Sequence, residues 1–314
     1  MSLLSSIYAI GLKTKNVLYD RGFLHTKELQ GPVVSIGNLS VGGSGKTPFI
    51  LLLGELLKAR GIKFDVLSRG YGRKTQGVAL VDPSGTARAF GDEPLLIARR
   101  LNVPVIVGES RYEAGLFAEE KFGAQFHLLD DGFQHRQLAR DFDIVLVTQL
   151  DLDGALLPTG RLREPSSSLA RADAVVLMEK IETNALALSN QAVWRVHRGI
   201  ALDTPPARPV VFCGIARPER FMDQLRETGI QPAAHQYFRD HHSYTQHDIN
   251  SLHKLRDQNH ADGFITTEKD AVNLGKFQAE LAPLSIARVT MELENPESAV
   301  HTILRIIEEG RLHS

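Results

Sequence analysis

The stretch SIGNLSVGGSGKTP, residues 35–48, ends in Gly45-Lys46-Thr47, the residue types that close a phosphate-binding loop. The general pattern is G-x-x-x-x-G-K-[ST], and here Ser40 stands where the opening glycine belongs. Gly42, Gly43 and Gly45 flank Ser44 and carry no Cβ to keep a phosphate from the backbone amides. The Lys46 amine can reach β- and γ-phosphates, and the Thr47 hydroxyl can hold Mg²⁺. A strand read over PVVSI (32–36) runs into this loop, and a helix read over residues 47–60 leaves it, closed by Gly61. At such a junction the loop amides and the helix N-terminus both favour an anion. The competing reading, a plain glycine-rich turn, does not account for lysine and threonine at those two places.

A Mg·nucleotide site also needs a carboxylate on a neighbouring strand. FHLLDDGFQHR supplies Asp130 and Asp131 after an apolar strand, at the edge where open α/β sheets gather ligands. In isolation Asp-Asp-Gly reads equally well as a turn. Further polar groups follow other strands: Arg69 and Arg73 in SRGYGR, Asp92 and Glu93 in FGDEP, Arg111 in GESRYEAG, and Gln134, His135 and Arg136 after the acidic pair. Each has an ordinary role available, with Asp92 as a helix cap, Arg111 as a solvated first-turn residue and His135 as a surface loop residue. Together on one rim they describe a cleft for an anionic, polar substrate. Guanine reading by N-K-x-D is unsupported, because Lys269 in TEKD (267–270) stands one place too late.

These residues need a scaffold. FDVLS (64–68), VPVIVG (103–108), FHLL (126–129), DIVLV (143–147) and AVVLM (174–178) are apolar on successive residues, as strands covered on both faces are. Helical patterns alternate with them, which predicts a doubly wound, mostly parallel α/β fold. WRVHRGIAL and the proline-rich DTPPARP interrupt the pattern around 190–210, so the chain divides into residues 1–205 and a smaller α/β domain over 206–314. In the second set PVVFCGI and GFITT read as strands, with helices from about 218 to 228, after Ser243 and after Asp270, and a last helix over 296–309. SIARVTMEL reads as a strand able to pair with the first connector.

The bulk numbers fit this plan. The 314 residues are 43% hydrophobic and 23% charged with net charge −1, ordinary for a globular chain and without a basic field for nucleic acid. The single cysteine, Cys213, lies in an apolar run and reads as a buried small hydrophobe in a reducing compartment. No run of eighteen apolar residues spans a membrane. At the N-terminus Leu3, Ile7, Ile10, Val17 and Leu18 recur at helical spacing, with Lys13, Lys15 and Arg21 close by. Such a helix either packs on its own domain or lies in a membrane surface with its lysines toward anionic headgroups.

SIGNLSVGGSGKTP, LSRGYGR, GDEP, DDGFQHR, LREP and the later F-x-DHH-x-Y together resemble the tetraacyldisaccharide 4'-kinases, the lipid A 4'-kinases of Gram-negative bacteria. The resemblance runs from the N-terminal helix to about Asp270, and Ser40 is itself the family form of the loop. It implies two α/β/α domains joined by a two-stranded linker, the first of P-loop NTPase type. It implies transfer of phosphate from ATP, with Mg²⁺, to the 4'-hydroxyl of a tetraacylated glucosamine disaccharide 1-phosphate. It also implies a peripheral enzyme on the cytoplasmic face of the inner membrane, with an N-terminal helix that meets the lipid; no protein partner is evident. Carried over by position, Lys46 and Thr47 match the phosphate and Mg²⁺ ligands, Asp130 and Asp131 the metal acids, and Glu164 a further acid near the metal. Asp92 matches a catalytic acid working with a histidine of the second domain; that is His241, with the adjacent His242 as the alternative. Glu93, Arg111, Gln134 and His135 match substrate-contacting positions.

Two other readings of the residues stand beside it. One is an ATP-driven switch or assembly factor that makes no lipid product. The other is a soluble small-molecule kinase whose first helix is only structural.

Overall fold

The computed structural model describes residues 3–123, 125–178, 181–186 and 188–312. Helix α1 (Leu3–Asp20) precedes β1 (Val33–Asn38), which leads through the glycine loop into α2 (Lys46–Ala59). There follow β2 (Phe64–Ser68), β3 (Ala79–Leu80), α3 (Ala87–Phe90), α4 (Asp92–Leu101), β4 (Val105–Val107), α5 (Arg111–Phe122), β5 (Phe126–Asp130), β6 (Phe142–Val147), α6 (Gln149–Leu152) and β7 (Ala174–Leu177). The chain continues as β8 (Ala192–Ala201), β9 (Pro209–Cys213), α7 (Pro218–Glu227), β10 (Ala234–Tyr237), α8 (Gln246–Gln258), β11 (Gly263–Thr267), α9 (Glu268–Leu274), β12 (Leu284–Leu293) and α10 (Pro296–Leu312).

The strands lie in the order β10-β9-β11-β12-β8-β7-β6-β1-β5-β2-β4-β3. Neighbours are parallel except at β3–β4 and at β8–β12, where Val196 to Ala201 pairs with Leu293 to Arg288. Every residue of β1, β2, β5, β6, β7, β9 and β11 is buried, the physical counterpart of their continuous apolar runs. Around β1, one face of the sheet packs Val34, Ile36 and Phe142 against Phe49 and Leu53 of α2, Leu95 of α4 and Ile303 of α10. The other face packs Leu67, Ile106 and Leu129 against Ala114 and Ala118 of α5. Beyond the antiparallel pair, Phe212 and Phe264 face Ile249 and Leu252 of α8, while Val211, Cys213 and Ile265 face Phe221 and Leu225 of α7. Each fully buried side chain of this size contributes about 1.5–3 kcal/mol. Cys213 is the expected small hydrophobe, and burial pushes its thiol pKa up.

The structure adds elements that the sequence pattern hides. β3 is two residues long, and β10, AHQY, is half-exposed, so neither shows a continuous apolar run. The expected pairing of the 190s segment with SIARVTMEL is the β8–β12 ladder.

Glycine matters for space at Gly37, in the strand that feeds the phosphate loop. A Cβ there would stand 2.5 Å from the Cβ of Phe133 and 3.0 Å from its backbone nitrogen. Phe133 is fully buried and cannot retreat. Gly37→Ala is expected to destabilise the fold by about 1–3 kcal/mol through overpacking, measured as the shift in a chemical denaturation midpoint. An unshifted midpoint would show that the strand and the turn separate freely.

Candidate active site

The loop between β1 and α2 owes its shape to glycines. Gly42, Gly43 and Gly45 have φ of 75°, 59° and 88°, the left-handed region that side chains disfavour. Ser40 is not a strained substitute for the usual glycine: it is buried, bridged to the backbone of Leu162, and its carbonyl accepts Asn38 Nδ2 at 2.6 Å. Lys46 Nζ donates to Asn38 Oδ1 at 2.9 Å and lies 3.3 Å from Asp131 Oδ1. Thr47 and Ser44 line the same cleft.

β5 lies beside β1 in parallel register, Ile36 opposite Asp130, and so delivers the acidic pair next to the loop. Asp131 has φ 54° and also pairs with Arg163 Nη1 at 2.7 Å. Burial raises its pKa, but Lys46 and Arg163 outweigh that and hold it below the usual carboxylate range. Asp130 differs. Its Oδ2 accepts the Ser68 hydroxyl at 2.8 Å, while its buried Oδ1 has no hydrogen-bond partner. Burial, reinforced by Glu93 and Asp131, pushes its pKa up to about 7. An orphaned buried carboxylate oxygen next to a phosphate loop is a seat for a cation. Among the described residues no three His, Cys, Asp or Glu side chains gather as a self-sufficient metal cage. Asp130 and Asp131 could serve Mg²⁺, which takes one or two carboxylates and completes its shell with phosphates and water.

Across the cleft, Asp92 opens α4 behind Gly91 (φ 92°). His241, at the left-handed φ of 58°, donates Nδ1–H to Asp92 Oδ2 at 2.8 Å, and Asn273 Nδ2 donates to the same oxygen at 3.1 Å. This bond raises the histidine pKa above its ordinary value; burial opposes it. Burial raises the Asp92 pKa, but His241 and Lys269 bring it below the ordinary range. Tyr71 tilts over the imidazole, ring centroids 5.4 Å apart. His242 faces away: it stacks on Phe238 and reaches Asp248 at 3.1 Å. Glu93 and Arg111 also line the cleft. Arg111 is buried, only 7% exposed, its Nη1 donates to Glu109 O at 2.9 Å, and its Nε has no hydrogen-bond partner. Burial lowers its pKa, and Asp130 opposes that.

Three of the expected residues lie elsewhere. Gln134 Nε2 donates to Asn38 O at 3.0 Å, outside the cleft lining, and its carbonyl accepts Lys15 of α1 at 3.4 Å. His135 is half-buried beside it; burial, then the charge of Arg111, lowers its pKa to about 4, so the ring is neutral. Glu164 is buried outside the cleft lining: Arg171 Nη2 pairs with its carboxylate at 2.9 Å, and its backbone nitrogen donates to Leu39 O at 3.3 Å, at the start of the phosphate loop. Arg73 is turned to Glu109, and Arg136 holds Asp20 of α1. Sequence reading passed over Arg163, Lys269 and Asn273. Arg163 lies in LREP beside Glu164, and Lys269 in TEKD carries no local signal beyond the misplaced guanine pattern.

The cleft encloses about 1140 Å³ between the phosphate loop and residues of both halves, among them Ala216, Arg239 and Lys269. That is more than one small ligand needs, and enough for a nucleotide and part of a second substrate. A parallel sheet whose strand opens into GSGKT, with an acidic pair ending the adjacent strand, is the P-loop kinase fold. The pattern describing tetraacyldisaccharide-1-P 4'-kinases matches residues 1–308. A tetraacyldisaccharide 4'-kinase from Koribacter versatilis is 49% identical, covering 98% of this chain and 99% of that one. One from Aquifex aeolicus is 35% identical, covering 96% of each. A crystal structure of the "apo" form of LpxK from Aquifex aeolicus in complex with ATP superposes with a TM-score of 0.80 at 34% identity, covering 97% of each chain. The chain belongs to the tetraacyldisaccharide-1-P 4'-kinase family.

The unpartnered oxygen of Asp130 has a measurable consequence. A carboxyl that binds its proton more tightly folded than unfolded costs stability as pH rises through about 7. Without nucleotide and Mg²⁺, Asp130→Asn is expected to gain melting temperature relative to the unmodified protein between about pH 5.5 and about pH 8.5, while losing turnover. Parallel melting profiles across that range would show that the carboxylate is already satisfied.

Proposed function

We propose that this protein transfers the γ-phosphoryl group of ATP to the 4'-hydroxyl of a tetraacylated glucosamine disaccharide 1-phosphate, the step that lipid A synthesis requires. The observation that carries the reading is the convergence of the phosphate loop, the acidic pair and the Asp92–His241 pair on one cleft, in a chain of this family. Residues 1–205 would act as the P-loop kinase domain and 206–314 as the domain supplying the histidine, with β8 and β12 between them.

In this reading the amides of Gly42, Gly43, Ser44 and Gly45 and the amine of Lys46 hold the β- and γ-phosphates. Thr47, Asp130 and Asp131 would hold Mg²⁺, which when bound neutralises charge between the two phosphates. The lone pair on His241 Nε2 accepts the hydroxyl proton. The 4'-oxygen bonds to the γ-phosphorus as the bond to the bridging oxygen breaks and its electrons leave with ADP. Asp92 fixes the imidazole tautomer through Nδ1 and stabilises the imidazolium formed. Arg111 and Glu93 orient the polar headgroup, and Gln134 and His135, which sit toward α1, would contact the substrate on the side where its acyl chains leave.

α1 supports a membrane-surface role. Two of its polar residues turn inward: Ser5 Oγ donates to Leu156 O at 3.1 Å and Tyr8 OH to Arg163 O at 2.9 Å. Leu4, Ile7 and Ile10 face out, 60%, 58% and 66% exposed. A helix packed as ordinary core would show the reverse. Among the described residues no helix is long and apolar enough to cross a membrane, so α1 would lie along the lipid of the inner leaflet.

The direct test supplies Mg·ATP and the lipid disaccharide monophosphate in detergent and looks for a bisphosphorylated lipid. ATP hydrolysis without that product would favour the switch reading. Within that assay Asp92→Asn and His241→Asn should each lower kcat by about 10²–10⁴, with KM for ATP little changed and the double variant no worse than the worse single one. His242→Ala should stay active. Because only neutral His241 accepts a proton and its pKa is raised, kcat should fall as pH drops through a value above the reference of about 6.5. Additive losses would mean the two residues act independently.

The membrane reading has its own measurement. Ile7→Glu with Ile10→Glu should release the protein from anionic vesicles without changing its melting temperature, since both positions are exposed. Unchanged partitioning would return α1 to a packing role.

A further inference from the structure

Lys269 lies in the first turn of α9, where the helix dipole disfavours a cation, and only 17% of its side chain is exposed. Its Nζ is 3.3 Å from Glu93 Oε1, 3.3 Å from Asp240 Oδ1, 3.3 Å from His241 Nε2 and 3.8 Å from Asp92 Oδ2. It therefore joins the start of α4 to the His241 loop and to α9. Asp92 holds Nδ1 of His241, and the ammonium, close to both Nε2 and Asp92 Oδ2, stands over the ring and off the in-plane direction of the Nε2 lone pair. Nδ1–H donates to Asp92, which leaves Nε2 a bare lone pair, and a lysine ammonium has three hydrogens to donate and nothing to accept with. A protonated Nε2 could not face that ammonium.

The groups around His241 are Asp92 from α4, Asp240 in its own loop at 3.8 Å, Lys269 from α9 and the ring of Tyr71. Both carboxylates draw the imidazole toward its cation, a form with no lone pair for a hydroxyl proton. Lys269 is the cation that opposes them. Burial lowers its own pKa, but Glu93, Asp92 and Asp240 outweigh burial and keep it charged.

We propose that Lys269 is a positioning residue for the Asp92–His241 pair: its ammonium, packed against the ring close to Nε2, opposes the imidazolium form and keeps the ring proton at Nδ1, while the in-plane lone pair of Nε2 stays open to the substrate hydroxyl. This rests on the reading of His241 as the base. It adds what that reading lacks, a reason why a histidine flanked by two carboxylates does not idle as imidazolium.

The test follows the His241 ring by ¹⁵N NMR titration and the acid limb of kcat in the full-length enzyme, for Lys269→Met, Lys269→Gln and Lys269→Arg. His241→Asn assigns the signal. Loss of the ammonium should move both the ring titration and the acid limb up by about one pH unit, with kcat near neutrality down several-fold and recovering at alkaline pH. Lys269→Gln keeps an N–H donor without the charge, so it carries the test if Lys269→Met does not fold. Lys269→Arg should hold the ring titration near its original value. A ring titration unmoved in both neutral variants overturns the proposal, whether or not His241 is the base. A ring that moves as expected in an enzyme whose His241→Asn variant is fully active would keep the Lys269 contact and remove the base role instead.

Discussion

Two segments 149 residues apart in the chain meet through the hydrogen bond from His241 Nδ1 to Asp92 Oδ2, 2.8 Å long. Neither residue reaches the other from local structure. Asp92 is fixed by α4, which packs Leu95, Ile97 and Leu101 into the core behind β1. His241 is fixed by the turn after β10, whose backbone donates from His241 N to Gly214 O at 3.2 Å. Between these two frames lies the β8–β12 ladder, an antiparallel pair in the middle of the sheet, whose other antiparallel pair is β3–β4 at the edge. The contact is therefore a readout of the whole sheet, and a small rotation about that ladder would open it.

Charge is distributed unevenly around the cleft. Asp131 is neutralised twice, by Lys46 and Arg163. Asp130, one residue away, receives a single hydroxyl and keeps one oxygen unpartnered. Burying a carboxylate without compensation is costly, so the imbalance is tolerable only where something else supplies the missing charge. A nucleotide with its cation would supply it. On the far wall Lys269 balances Asp92, Glu93 and Asp240 from within. One wall is complete in the protein itself, and the other is completed by its ligand.

α1 inverts the usual amphipathic rule. Ser5, Tyr8 and Asn16 bind the segment that carries Leu156, Arg163 and Glu164, and Leu4, Ile7 and Ile10 point to solvent, while Leu12, Val17 and Leu18 are partly buried. That segment also supplies Arg163 to Asp131. The helix and the acidic pair thus share one structural support. A lipid substrate held by its acyl chains at α1 would present its sugar to the cleft along this support.

The strands and the phosphate loop were legible in the sequence because their physics is local. Continuous apolar runs need two covered faces, and GSGKT at a strand end needs nothing beyond its neighbours to be recognised. The helical spacing of Ile7 and Ile10 was equally plain, but spacing alone left open whether the stripe meets a core or a lipid; their exposure shows that they do not enter the core. The identity of the histidine was undecidable locally, since His241 and His242 are adjacent and chemically equal. Only the left-handed turn at residue 241 aims one ring at Asp92 and leaves the other stacked on Phe238. The same holds for Glu164, whose carboxylate is engaged by Arg171, and for Lys269, an ordinary first-turn lysine until three carboxylates from two distant segments close around it. Residue type and short-range order specify which groups can do chemistry; which of them face one another depends on sheet register and chain crossings that no local window contains.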